Sequence, residues 1–152
     1  MSTVKVFCYG SNMSSERLKD RCEHAQFISK ASLPGYQFKF NKKSTDGSGK
    51  ANIIKTGSEN DVVWGVVYEI PEVERKSLNR AEGIGYEKMI LPIIKENGES
   101  EKTLVYIAIK SKYLDPSLKP TSKYKKYCTD GAKEFKLPLT YLKSLEDFEA
   151  LE

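Results

Sequence analysis

Two short stretches carry residues whose types and spacing suit chemistry. Tyr9-Gly10-Ser11-Asn12 follows an apolar run and precedes a helix-like stretch, and Ala81-Glu82-Gly83 sets one acid beside a glycine. A glycine straight after a strand lets the chain turn sharply and brings backbone N–H groups close to a ligand. Where a helix follows, its free N–H groups and positive dipole end favour an anion. Ser11 and Asn12 add a hydroxyl and a carboxamide at that rim. The stretch has neither a Gly-Lys-Ser/Thr nor a GxGxxG pattern, so a carboxylate suits it better than a nucleotide phosphate. The plainer reading is an ordinary strand-to-helix turn in which Ser11 and Asn12 satisfy local backbone groups.

Glu82 stands before Gly83 and Gly85, so a tight turn can project its carboxyl into a cleft. Apolar walls such as Trp64, Val66 or Tyr86 would desolvate it and raise its pKa toward neutrality. A carboxyl so tuned takes a proton and returns it. The competing reading is a solvated glutamate at a helix end, one of 21 acidic residues. The only histidine, His24, sits among polar neighbours and reads as a surface residue. A Ser-His-Asp triad would have that single base and no nucleophile elbow. Cys8 falls in a core-like strand, where cysteine behaves as a small hydrophobe. Lys123, Lys125 and Lys126 interleave with Tyr124 and Tyr127. That pattern can bind single-stranded nucleic acid, but a helix with a wet lysine face is the better reading, and it leaves Tyr124 free to turn inward.

The elements that must position these residues are legible in outline. Residues 4–9 read as a buried strand ended by Gly10. Ser14 or Ser15 offers a helix N-cap with Glu16 in the first turn, and Leu18 and Cys22 share the buried face of a short helix. Strands are expected over 27–33 and 36–40, separated by Pro34-Gly35. A mobile polar loop over 42–50 then leads to a short strand at 51–54. The run VVWGVVYEI at 62–70 is the strongest strand signal and reads as central, with Gly65 marking a bulge or a close backbone contact. A helix over 72–80 shows a narrow stripe of Val73, Lys76, Leu78 and Ala81. Strands over 86–94 and 103–109 flank Glu96-Asn97-Gly98-Glu99, a hairpin signal. Residues 113–120 read as irregular, 122–136 as a helix, and Pro138 opens another in which Tyr141, Leu145 and Phe148 pack inward. Strands first and helices last predict an α+β fold.

The chain has 152 residues, 39% hydrophobic and 30% charged, as expected for a single soluble globular domain spanning 1–152. A net charge of +4 with both signs interspersed gives little support to nucleic-acid binding. Three scattered cysteines suggest neither a disulfide framework nor a zinc site, and point to a reducing, cytoplasmic setting. No signal-peptide core or bilayer-length apolar run is present, so no membrane partner is expected.

Four blocks in fixed order, FCYGSNMSSERL, VVWGVVYEI, LNRAEG and SKYKKYCTDGAKEFKLPLTYLKSL, resemble the γ-glutamylcyclotransferase family. The resemblance implies a small closed mixed β-barrel with flanking helices. It implies cyclisation of a γ-glutamyl group to 5-oxoproline, with release of an amino acid or amine and without a metal or organic cofactor. Glu82 matches the catalytic glutamate. Val6, Phe7, Cys8, Tyr9, Gly10 and Ser11, with Asn12 beside them, match the substrate-cradling loop. Tyr86 and Tyr124 match tyrosines of the substrate pocket. The implied partner is a small γ-glutamyl compound, and a homodimer is compatible with the family. Two places depart from the family pattern: a shorter turn between Glu82 and Tyr86, and Gly49-Lys50-Ala51-Asn52 where that pattern is richer in glycine. The alternative is a non-catalytic binding protein for a γ-glutamyl or other small acidic metabolite.

Overall fold

The computed structural model describes residues 2–151. Five strands close into a barrel: β1 (Thr3–Cys8), β5 (Val62–Pro71), β2 (Gln26–Pro34), β6 (Tyr86–Lys95) and β7 (Ser100–Ala108), in that order. β5 is central, as its apolar run predicts. It pairs antiparallel with β1, with Cys8 opposite Val66, and with β2, with Ala31 opposite Gly65. The barrel closes through one parallel pairing, Val6 to Leu104 of β7. Gly65 is a close contact and not a bulge: a Cβ there would sit 2.4 Å from the Cys8 carbonyl oxygen. The irregularity lies instead in β2, between Phe27 and Ser29. The barrel interior and its flanks bury Val6, Phe7, Val66, Val67, Ile70, Ile93 and Val105. Each such side chain contributes about 1.5–3 kcal/mol.

A separate two-stranded sheet, β3 (Tyr36–Lys43) and β4 (Gly49–Lys55), lies beside the barrel. The mobile loop expected over 42–50 shrinks to a five-residue turn between these strands. Asp46 organises it by accepting from the N–H of Ser48 at 2.9 Å and from its hydroxyl at 2.5 Å. Gly47 supplies a φ of 86°. Polarity there signalled a capped turn, not a loose one.

The first helix, α1 (Ser15–Lys19), follows a 3-10 turn over Ser11–Met13. Ser14 is its N-cap, accepting from the Arg17 N–H, and Leu18 and Cys22 are fully buried. α2 (Glu72–Glu82) runs two residues past the expected end, so Glu82 closes the helix and does not sit on a turn beyond it. Its expected stripe reduces to Leu78, since Val73 is 75% exposed and Ala81 is also exposed. α3 (Ser122–Glu134) turns Tyr124, Cys128 and Ala132 inward, and α4 (Leu139–Glu146) buries Leu145. Gly131 lets α3 lie directly on the 3-10 turn, since a Cβ would come within 2.5 Å of Met13 Cβ.

Candidate active site

The end of β1, the 3-10 turn, the last residue of α2 and the start of β6 meet at one cleft. It holds about 380 Å3 of atom-free space counted to its open mouth. All ten residues singled out in the sequence line it: Val6, Phe7, Cys8, Tyr9, Gly10, Ser11, Asn12, Glu82, Tyr86 and Tyr124. Ala51, Leu78 and Tyr106 complete the lining. Of the apolar walls expected for Glu82, only Tyr86 lines the cleft. Trp64 and Val66 of β5 do not line it, and Tyr106 of β7 does.

The turn after β1 is shaped by packing. A Cβ on Gly10 would lie 2.8 Å from the Ala51 Cβ, so glycine lets β1 and β4 approach. Met13 and Ser14 donate their N–H groups back to the carbonyls of Gly10 and Ser11. The N–H groups of Gly10, Ser11 and Asn12 have no acceptor among the described residues. Successive amides without acceptors in a turn are donors available to a negative charge. The sequence pointed to the N-terminus of a helix for this role. The structure supplies the 3-10 turn, and α1 is a five-residue helix behind it.

Glu82 is half-buried as a residue, and burial pushes its carboxyl pKa up to about 7. Arg21, Arg17 and Lys42, and a hydrogen bond from Asn12, pull in the opposite direction. Desolvation wins, as it does for carboxyls held against apolar and aromatic walls. Asn12 Nδ2 donates to Glu82 Oε1 at 3.1 Å, and Arg21 Nη1 donates to Asn12 Oδ1 at 2.6 Å. A guanidinium can only donate, so it fixes the Asn12 amide with its NH2 toward the acid. Arg17 Nε donates to the Ser11 hydroxyl at 3.0 Å. That leaves the Ser11 O–H to donate, with the Tyr124 hydroxyl within its reach.

Two tyrosines grip the backbone of Ala51. Tyr86 Oη donates to the Ala51 carbonyl at 2.5 Å, and the Ala51 N–H donates to Tyr124 Oη at 3.2 Å. The two hydroxyls therefore differ in what remains: Tyr124 keeps a proton to donate, and Tyr86 keeps lone pairs to accept. Deeper in, Tyr9 Oη donates to the Tyr106 carbonyl at 2.5 Å, while the Tyr106 hydroxyl meets Asn79 Oδ1. This pairing holds β7 and the end of α2 against β1.

The other candidates fall outside this constellation. His24 is exposed and paired with Glu74 at 2.5 Å. Burial raises the Cys8 pKa well above its usual range, which keeps it a thiol and not a nucleophile. Lys125 donates to the carbonyls of Glu146 and Phe148, and Lys126 pairs with Asp130, so two of the three clustered lysines are engaged. Sequence reasoning missed Arg17, Arg21 and Tyr106. The i, i+4 spacing of the two arginines on the approach to Cys22 was the available signal.

Proteins of known relation match this arrangement over nearly the whole chain. A family described as AIG2-like matches residues 62–145. Gamma-glutamylcyclotransferase of Bos taurus is 33% identical over 149 residues, covering 94% of this chain and 77% of the relative. The Homo sapiens protein of that name is 30% identical over 151 residues, with the same coverage of 94% and 77%. A solved structure of a gamma-glutamyl cyclotransferase superposes with a TM-score of 0.89 at 28% identity, covering 99% of this chain and 90% of that one. An uncharacterized Homo sapiens protein does so at 0.89 and 29%, covering 100% and 91%. With its closed five-stranded barrel and its cleft at the end of β1, the chain belongs to the γ-glutamylcyclotransferase family.

Proposed function

We propose that this protein converts a γ-glutamyl compound to 5-oxoproline and a free amine or amino acid, with Glu82 as the acid/base group. The carrying observation is the 3.1 Å hydrogen bond that joins Asn12 of the amide turn to the Glu82 carboxyl in one cleft. Family membership supports the general reaction type. The substrate brings its own nucleophile: its α-amine attacks the γ-carbonyl carbon and closes a five-membered ring. The protein has only to hold the near-attack conformer and move protons.

A carboxyl with a pKa of about 7 is divided between its two forms near neutral pH. Ionised Glu82 accepts a proton from the α-ammonium. Once protonated, it delivers that proton to the departing nitrogen, which would otherwise leave as an amide anion. Ionised again, it takes the second proton, which the ring nitrogen sheds on becoming the lactam N–H, and passes it to the released amine. The free N–H groups of Gly10, Ser11 and Asn12 hold the glutamyl carboxylate or the oxygen that gains charge as the carbonyl carbon turns tetrahedral. Tyr124 and Ser11 supply hydroxyl donors to the same end of the substrate, and Tyr86 accepts from its ammonium.

The test is 5-oxoproline release from γ-glutamyl amino acids, γ-glutamyl amines and glutathione, beside a Glu82→Gln control. Product from at least one class that disappears in the control is the expected result. Saturable binding without any product would make the protein a metabolite-binding member of the family.

A further inference from the structure

Lys42 and Lys50 are direct partners across the β3–β4 ladder. Directly opposed residues share a face, and like charges so placed repel. Neither ammonium makes an ion pair or hydrogen bond with a described residue, and Lys42 is only 7% exposed. Each instead lies over a cleft tyrosine: Lys42 Nζ is 5.0 Å from the Tyr86 ring centre, and Lys50 Nζ is 4.0 Å from that of Tyr124. Those rings line the cleft and flank Ala51, so the pair stands on β3 and β4 against the two cleft tyrosines. Gly85 leaves room for the Lys42 stem, since a Cβ there would come within 3.0 Å of its Cε.

Burial lowers the pKa of both ammoniums, and only the fields of Glu82 on Lys42 and of Asp46 on Lys50 oppose this strongly. Such an arrangement costs stability in the free protein unless an anion comes between the two charges. The charge count points the same way. Arg17, Arg21 and Lys42 all act on one carboxylate, Glu82, and Lys50 lies within the fields of the same two arginines. Arg17 and Arg21 are committed to Ser11 and Asn12, and the glutamyl carboxylate has neutral donors available at the amide turn. The two lysines form no close ion pair with a described residue, and Glu82 and Asp46 act on them only through their fields.

We infer that Lys42 and Lys50 form a dianion subsite for the departing amine, selecting γ-glutamyl compounds whose leaving group is an acidic amino acid with two carboxylates. The inference rests on the cyclotransferase reading given above. It makes the lysines specificity residues; Lys42 also acts on Glu82 through its field, so the test reads a ratio between substrates and not a single rate.

The test compares γ-glutamyl-glutamate with γ-glutamyl-glutamine, which is nearly isosteric and carries one charge less, and with γ-glutamyl-ethylamide. The wild-type protein should favour the first over the second by about tenfold in kcat/KM, since a hydrogen bond to a charged partner contributes about that much. In Lys42→Gln/Lys50→Gln this preference should fall several-fold toward one, and the loss on the ethylamide should be markedly smaller. Equal losses on all three compounds, or a preference that survives the double substitution, would overturn the subsite. Calorimetric binding of the same compounds to Glu82→Gln separates the two readings. If no compound yields 5-oxoproline, the cyclotransferase reading fails. The subsite then stands only if the tighter binding of γ-glutamyl-glutamate is lost when both lysines are replaced, and falls if it is not.

Discussion

Asn12 and Glu82, seventy residues apart in sequence, are joined at 3.1 Å, and Arg21 holds the far side of the same amide at 2.6 Å. This relay opposes the burial that raises the pKa of the acid. Arg21 is the largest single influence holding the Glu82 pKa down against burial, and Asn12 adds to it. Arg21→Gln removes the positive charge, and Asn12→Ala removes a hydrogen bond that favours the ionised form. In both variants the Glu82 pKa should rise above about 7. The acidic limb of the kcat/KM profile should therefore move to higher pH, and more so in Arg21→Gln. Side-chain carboxyl NMR titration of Glu82 reads the shift directly. An unmoved resonance in both variants would mean that the relay positions the acid without tuning it.

Glu82→Gln keeps shape and the acceptor oxygen that Asn12 uses, but cannot take a proton. Turnover to 5-oxoproline should fall by about a hundredfold or more. KM should change little if the amide turn does most of the holding. A variant that turns over at the wild-type rate would remove Glu82 from the chemistry.

The same substitution makes an opposite prediction for stability. The folded-state pKa of Glu82, about 7, lies above its ordinary value of 4.5. Between those values the folded protein holds a proton that the unfolded chain has released. Its contribution is complete below pH 4.5 and is lost as pH rises through 7. Glutamine carries no charge to desolvate. Glu82→Gln should therefore match the wild type near pH 4.5 and exceed it at pH 8, by on the order of 1–3 kcal/mol. Denaturant unfolding at the two pH values tests this. Equal stability at pH 8 would mean that water reaches the carboxyl freely.

Local features of this fold were legible in the residues, and long-range ones were not. The run at 62–70 becomes β5, Ser14 is the cap, Leu18 and Cys22 are buried, and the turn at 96–99 joins β6 to β7. Each depends on neighbours within a few positions. The single Val6–Leu104 pairing that closes the barrel has no local signature. It sets β7, which carries the cleft residue Tyr106, beside β1. Arg17, Arg21, Lys42 and Lys50 were passed over because an isolated cation in a sequence looks like a solvated surface residue. Only the fold shows them gathered at one cleft. The helix over 72–80 misled for a related reason. Its spacing of Val73 and Ala81 looked apolar, but α2 touches the barrel mainly through Leu78 and leaves those two in water.

The approach of Gly10 to Ala51 gives the strictest test of how the cleft is built. A methyl group on Gly10 would lie 2.8 Å from the Ala51 Cβ, well inside van der Waals contact. Neither residue can move freely. Gly10 turns the chain out of β1, and the Ala51 backbone is gripped by Tyr86 and Tyr124. Gly10→Ala should cost about 1–3 kcal/mol of stability, the usual range for overpacking. Activity should fall further than stability, since the displaced groups are the amides that hold the substrate. Ala51→Gly removes the opposing methyl and should be mild alone, near 1 kcal/mol for glycine in a strand. Combined with Gly10→Ala, it should restore most of the lost activity, giving a favourable coupling of about 1 kcal/mol or more. Losses that simply add would mean that Gly10 is required for its backbone conformation. The contact with Ala51 would then not explain the glycine.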